Sequence, residues 1–466
     1  MKQALALLAA VLIVTGSAWA QAPAAGGNPT SKALESLAAR TKNSLAVVRF
    51  NIQDQVIGSA SITGMAICVG KGAGNAGVLI TTALDPRVQP ETIKDVEVTI
   101  PDSQKKLAAK YRSTDPATGI TFVDVTDAYE WTPVEFAKKA DLRIGRQVLS
   151  VGLLDAALGN KTYYGVAYVS AKVRVPGPMV YVTGGWLTNI GSPVFTADGV
   201  AVGMVQQQLP TPAGISSSGG PANILIRGQR ETSYFMPVDD FVHVITSPPQ
   251  RGKRLPWIGV LRFKPYPENI VPLGVPAVTA ETVVPGSPAA KVGLKDNSTI
   301  TGLNGHALEE MPTPQLTVSN FVRQLNRIQI GSKITLTVLE GAKPKVLEMV
   351  VDAFPKTPQE AAKYFSRPLG LYVREKVELD KVLDTTPTAE VPGVYVVGVV
   401  NGGPSAKSGV KTQPPDLVVS VAGQPVNTVA GFQALCEQAL NKDPRKPVNV
   451  MVRRGDVNQS ISIQPE

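Results

Sequence analysis

Nucleophilic, acid–base and metal chemistry all need particular side chains within reach of one another, and this chain supplies few of them. Its 466 residues contain two histidines, His243 and His306, and two cysteines, Cys68 and Cys436. His243 lies between Val242 and Val244 in an apolar run, and His306 follows Asn304-Gly305, so a structural or surface role is expected of each. The cysteines are far apart in apolar patterns, which predicts two buried thiols rather than a disulfide framework or a zinc site. No H-E-x-x-H pattern and no acidic loop of calcium spacing occurs, so no metal is expected. The run Gly70-Lys71-Gly72-Ala73-Gly74-Asn75-Ala76-Gly77 is glycine-rich but lacks the Lys-Ser/Thr pair of a phosphate loop, and it reads as a hairpin loop. No cofactor is expected. The formal net charge is +9, yet Lys and Arg are scattered, and the densest cluster, Arg251, Lys253 and Arg254, falls in a Pro/Gly stretch. Without a basic helix or an aromatic-interleaved basic strip, this charge predicts a solvated surface and no nucleic-acid partner.

The elements around these residues divide the chain. Lys2, the apolar run Ala4 to Val14 and the small-x-small end Ser17-Ala18-Trp19-Ala20 read as a signal peptide over 1–20. That run is too short to span a bilayer, which takes roughly 20 residues, so an exported protein with no membrane span after signal cleavage is expected. Residues 21–43 read as an Ala/Gly/Pro leader and a short helix. Over 44–246, short Val-rich strands separated by turn residues predict an antiparallel β domain, closed by a helix over Val238 to Ile245. A linker over 247–256 leads to two faint copies of one element order, 257–354 and 367–466, joined by a second linker over 355–366. The first copy carries Trp257-Ile258-Gly259-Val260 and Pro285-Gly286-Ser287-Pro288-Ala289-Ala290; the second carries Leu369-Gly370-Leu371 and Gly403-Pro404-Ser405-Ala406.

This order resembles the HtrA/DegP family, trypsin-like serine proteases followed by PDZ domains. Thr63-Gly64-Met65-Ala66-Ile67 resembles that family's S-G-x-G strand, and Val78-Leu79-Ile80-Thr81-Thr82-Ala83-Leu84-Asp85 its Φ-Φ-T-N-x-H-V segment. Asp115-Pro116-Ala117-Thr118-Gly119-Ile120 is similar to D-x-x-x-D-Φ, and Thr188-Asn189-Ile190-Gly191-Ser192-Pro193 to G-N-S-G-G-P. The resemblance implies a mainly β chain: a trypsin-like double β-barrel followed by two α+β PDZ domains. It also implies that the positions of general base, orienting acid and nucleophile hold Leu84, Gly119 and Ile190. None of these can transfer a proton or attack a carbonyl. Thr188 replaces the turn glycine of the oxyanion loop. Ser192, two residues beyond the nucleophile position, is a remaining but poor candidate nucleophile, with no Lys within several residues to activate it.

PDZ domains add an extended peptide to a sheet edge and capture its carboxylate with backbone N–H groups. The resemblance places those loops at Ile258, Gly259 and Val260 and at Leu369, Gly370 and Leu371. The facing helices would present Phe321 and Leu325 in the first unit, Phe432 and Leu435 in the second. A proline-rich insert from about Phe263 to Ala277 covers the first groove in this reading, which makes the second unit the preferred binder. The expected partners are C-terminal or unfolded polypeptide segments, in the periplasm or cell envelope. The leading expectation is a non-enzymatic, PDZ-mediated binding or scaffold protein. An active serine-type endopeptidase with an unorthodox arrangement and a structural partner of an active HtrA-type homologue are the alternatives.

Overall fold

The computed structural model describes residues 28–466 except 55–57, 87, 175, 207–233, 268–272, 342 and 384–389; the segment read as a signal peptide lies outside them. Helix α1 (Pro29–Arg40) opens the described chain, with Pro29 at its first position and the Asn28 side chain accepting from Thr30 N–H. Six strands then close a first barrel: β1 (Leu45–Asp54), β2 (Gly58–Lys71), β3 (Gly77–Thr81), β4 (Ile93–Thr99), β5 (Lys106–Thr114) and β6 (Thr121–Val125), in the order β1-β2-β3-β6-β5-β4. A second barrel repeats the count: β7 (Gln147–Leu153), β8 (Thr162–Arg174), β9 (Pro178–Thr183), β10 (Pro193–Thr196), β11 (Ala201–Val205) and β12 (Tyr234–Pro237), in the order β10-β11-β12-β9-β8-β7.

Each barrel has an apolar interior, and a third core fills the seam between them. Leu79 points into the first barrel while its neighbour Ile80 joins the seam with Leu149 and Val151 of β7 and Leu37 of α1. Strands buried on both faces carry unbroken apolar runs, which is why Val78-Leu79-Ile80 and Ala201-Val202 do not alternate with polar residues. The closing helix is split at Phe241 into a 3-10 turn, Val238–Asp240, and helix α2 (Val242–Thr246), with Val238, Phe241 and Val244 buried in the seam. The glycine-rich run forms the expected β2–β3 connection, and both cysteines are buried free thiols.

A short ribbon, β13 (Pro256–Trp257) with β20 (Asp352–Ala353), brackets the first repeat. Its sheet runs β14 (Val260–Pro265), β15 (Val278–Val283), β16 (Ser298–Leu303), β18 (Lys333–Glu340) and β19 (Lys343–Val350), with β17 (His306–Ala307) beside β16. Helices α3 (Pro288–Lys291) and α4 (Pro314–Leu325) complete it. In the second repeat the order is β21 (Lys363–Ser366), β22 (Leu371–Arg374), β23 (Val394–Val399), β24 (Leu417–Val421), β26 (Val448–Arg454) and β27 (Val457–Ile463). There β25 (Gln424–Pro425) pairs with β24, and helices α5 (Asp380–Leu383), α6 (Pro404–Lys407) and α7 (Val429–Lys442) lie between strands in sequence. The repeats differ most at the outer edge of the strand after the glycine loop. Residues 363–366, read from sequence as the end of a linker, are a strand on the outer edge of β22. Among the described residues no helix is long and apolar enough to cross a membrane.

Candidate functional site in the inter-barrel cleft and the two PDZ grooves

Three loops at the barrel seam bring Leu84, Gly119 and Ile190 together. They line one cavity of about 300 Å³ with Thr82, Ala83, Asp85, Pro86, Thr118 and Gln206. Leu84 follows β3 and is 1% exposed, its side chain packed in the core of the first barrel rather than offered to the cleft. Gly119 ends the tight turn into β6 at φ +73°, and a side chain there would enter open space. That turn is pinned by Asp115, whose buried carboxylate accepts from Thr118 N–H at 3.0 Å and Thr118 Oγ1 at 2.9 Å and holds Lys253 Nζ at 3.1 Å. Ile190 is 47% exposed at the lip, and on its other side a depression of about 700 Å³ continues between Arg49, Met65, Leu153 and Asn189. A long groove is therefore present, and Leu84, Gly119 and Ile190 within it offer no side chain that can donate or accept a proton.

The loop before β10 explains why Ser192 does not replace the missing nucleophile. Ser192 is fully buried, and its hydroxyl points at Met65 Sδ, 3.7 Å away, with its backbone bonded to Asn189 O and Val205 N. The Thr188 N–H, which stands at an oxyanion-donor position in the resemblance, donates instead to Ser150 Oγ at 2.9 Å. Asn189 Oδ1 accepts from Leu153 N–H at 2.7 Å, tying the loop to β7. Ser150 is marked by no sequence pattern, and the roles of Met65 and Lys253 are not readable there either, because each acts through a contact between distant segments. Neither histidine lines either cavity. His243 is exposed on α2; partial burial, then the nearby Arg327 charge, holds its pKa below the ordinary 6.5. No cluster of metal-ligating side chains occurs among the described residues.

The PDZ-type loops are built alike but sit in different surroundings. Gly259 adopts φ +102°, and a Cβ there would lie 2.0 Å from Ser287 Oγ. Gly370 adopts φ +58° with Pro404 Cδ and Val400 Cβ each 3.3 Å from a would-be Cβ. Ile258, Val260, Leu369 and Leu371 turn their side chains into the domain cores, leaving backbone to face a ligand. Phe321 and Leu325 are also core residues, 1% and 7% exposed, and Phe432 is fully buried; Leu435 is half-buried. These helical side chains therefore support the grooves from beneath more than they line them. In the first unit Phe263 of β14 meets Phe321 of α4 edge-on at 5.1 Å, and β14 has one strand neighbour, β15. In the second unit β22 is flanked on both sides, by β23 and by β21. The expectation that the second groove is the more open one does not fit this topology. The first unit's insert is partly strand β14, and the rest that is described does not add a strand to its free edge.

The first PDZ-type unit is bound to the barrels through α4. Arg323 and Arg327 both hold the Asp240 carboxylate, and Arg327 also donates to Asp240 O at 3.1 Å.

Residues 64–204 match the family model described as a trypsin-like peptidase domain, and residues 369–464 match that of a PDZ domain. A protein of Bartonella henselae named as a probable periplasmic serine endoprotease, DegP-like, is 25% identical over 380 residues, covering 78% of this chain and 68% of its own length. The chain is similar to HtrA/DegP-like proteins along most of its length. A Rhizobium meliloti relative of the same name is 26% identical over 374 residues, covering 77% of this chain and 68% of its own. A solved HtrA-type protease, an AlgW variant with a decapeptide, shares the fold at TM-score 0.50 and 17% identity, over 69% of this chain and 97% of that one. The peptidase-type match spans both barrels and so includes the loops that line the cleft described above. The relatives' names are consistent with export, and the PDZ match points to peptide binding.

Proposed function

We propose that this HtrA/DegP-like chain is an exported protein that binds polypeptide segments through its PDZ units and does not hydrolyse them. The observation that carries this reading is the single cavity lined by Leu84, Gly119 and Ile190. A serine protease needs a base that takes the nucleophile's proton, a group that fixes the base's tautomer, and donors aimed at the developing oxyanion. Leu84, Gly119 and Ile190 supply neither of the first two, and Thr188 N–H is engaged by Ser150. The whole triad is worth about 10⁶ in kcat, so what remains is at most the ~10³–10⁴-fold effect of binding and residual donors. The groove of about 700 Å³ beside Ile190 still suits an extended chain, which supports capture without cleavage.

A second reading, an active serine-type endopeptidase with an unorthodox arrangement, is favoured by the names of the relatives. Incubating the purified protein with denatured casein separates the two. The first reading expects no cleavage above the blank and retention of C-terminal peptides from a display library. Casein cleavage that disappears in S192A would establish the second reading and end the first.

A further inference from the structure

The C-terminal PDZ groove already contains a strand. In this fold a ligand lies antiparallel on the free edge of the strand that follows the carboxylate loop, against the facing helix, with its last residue at that loop. Strand β21 meets each of those conditions. It pairs antiparallel with β22 on the edge away from β23, in the register Lys363↔Arg374, Tyr364↔Val373, Phe365↔Tyr372 and Ser366↔Leu371. Its C-terminal residue therefore lies beside Leu371 of the loop. The ladder continues past the strand, with Glu375 N–H donating to Ala362 O at 2.8 Å. The Tyr364 ring faces α7, 6.2 Å from the Phe432 ring, and burial beside the helix raises its hydroxyl pKa. At the loop, Gly370 N–H is engaged by Arg367 O at 3.0 Å, the turn that connects β21 to β22. Among the described residues the first unit shows no such occupant: its corresponding upstream segment, β13, pairs with β20 instead of with β14.

We propose that Lys363–Ser366 is the resident ligand of the C-terminal PDZ groove, so that this unit takes an outside partner only by exchanging it for this strand. The partner class follows from the occupant. It is an extended segment with an aromatic residue at the Tyr364 position and an apolar last residue where Ser366 now sits. Ser366 is 1% exposed and its hydroxyl has no hydrogen-bond partner, so the resident strand buries an unsatisfied polar group at its terminal position. A buried unpaired hydroxyl weakens the hold of the strand that carries it. An apolar residue there binds better, and this leaves the resident strand displaceable.

The inference rests on the peptide-binding part of the proposed function. It is tested on the full chain with a fluorescein-labelled peptide copying residues 359–366 and carrying S366A, read by anisotropy and by hydrogen exchange. When the competent state is a minor fraction, apparent affinity falls by that fraction. Y364A in the protein removes the ring that anchors the strand and should tighten peptide binding roughly ten- to a hundredfold, with new protection on β22 and α7. S366A in the protein should act oppositely, weakening binding at that groove by about five- to tenfold without threatening the fold. Equal affinity of wild type, Y364A and S366A, or protection confined to β14 in all three, would overturn the resident-strand proposal while leaving peptide binding intact. Binding by none of the three at either unit would overturn the peptide-binding reading as well.

Discussion

Replacing Gly259 with alanine should unfold the first PDZ unit's loop far more than the matching change at Gly370 affects the second. At φ +102° an L-residue carries about 1–3 kcal/mol of backbone strain. The added Cβ would also lie 2.0 Å from Ser287 Oγ and 2.3 Å from Ser287 Cβ, so Ser287 has to move. Ser287 caps α3 by accepting from Ala290 N–H and donates to Gly259 O, both at 3.3 Å. Losing a serine cap costs about 0.5–2 kcal/mol. Together G259A should cost about 2–4 kcal/mol, which in a unit of about 100 residues lowers its melting temperature by roughly 10–25 °C. G370A meets only contacts of 3.3 Å at φ +58°, and should cost about 1–2 kcal/mol. Calorimetry of the full chain, with peptide anisotropy on the same samples, reads both effects. The reasoning fails if G259A melts with the wild type, or if G370A proves the more damaging of the two.

Rebuilding the triad as L84H/G119D/I190S should still give no measurable casein cleavage, because the Leu84 site is turned into the barrel and the Thr188 N–H is taken by Ser150; one lost oxyanion donor alone costs about 10²–10³ in kcat. Burial pushes the Cys68 thiol up to about 11 and that of Cys436 up to about 12, so at pH 8 only about one in a thousand or fewer is thiolate, and a disulfide reagent should label neither until the protein is unfolded. D240N should loosen the first PDZ unit from the barrels by about 1–3 kcal/mol, seen as earlier proteolysis between residues 247 and 256, since two arginines share that 10%-exposed carboxylate. His243 has its folded-state pKa below 6.5, so the unfolded chain protonates first. Stability from this group is complete above pH 6.5 and is lost as pH falls below it, and H243Q should flatten that acid dependence of the melting temperature.

What the chain itself reveals depends on whether a feature is local. Val78-Leu79-Ile80 announces a strand buried on both faces, and the motif order alone brings Leu84, Gly119 and Ile190 into one cavity. The buried thiols are likewise readable from their apolar surroundings. Ser192 looks like an available hydroxyl in sequence, and only its contact with Met65 across the seam shows it buried. Lys363–Ser366 is too short to display a period of two and lies just before Pro368, so it reads as linker until β22 is placed beside it. Asp240 and its two arginines are more than eighty positions apart, beyond any pattern in one segment.

The hairpin that seats β21 also sets a length. With the strand in place, residues 354–362 are all that separates the β13–β20 ribbon from the second PDZ sheet. A partner that takes its place frees residues 363–367 as well, adding up to roughly 16 Å of extended chain, while Pro368, Leu369 and Gly370 stay bonded in the carboxylate loop. Occupancy of the groove is thereby written into the reach of the leash: an empty-handed second unit is held short, and one that has exchanged its strand sweeps a much larger volume around the barrels.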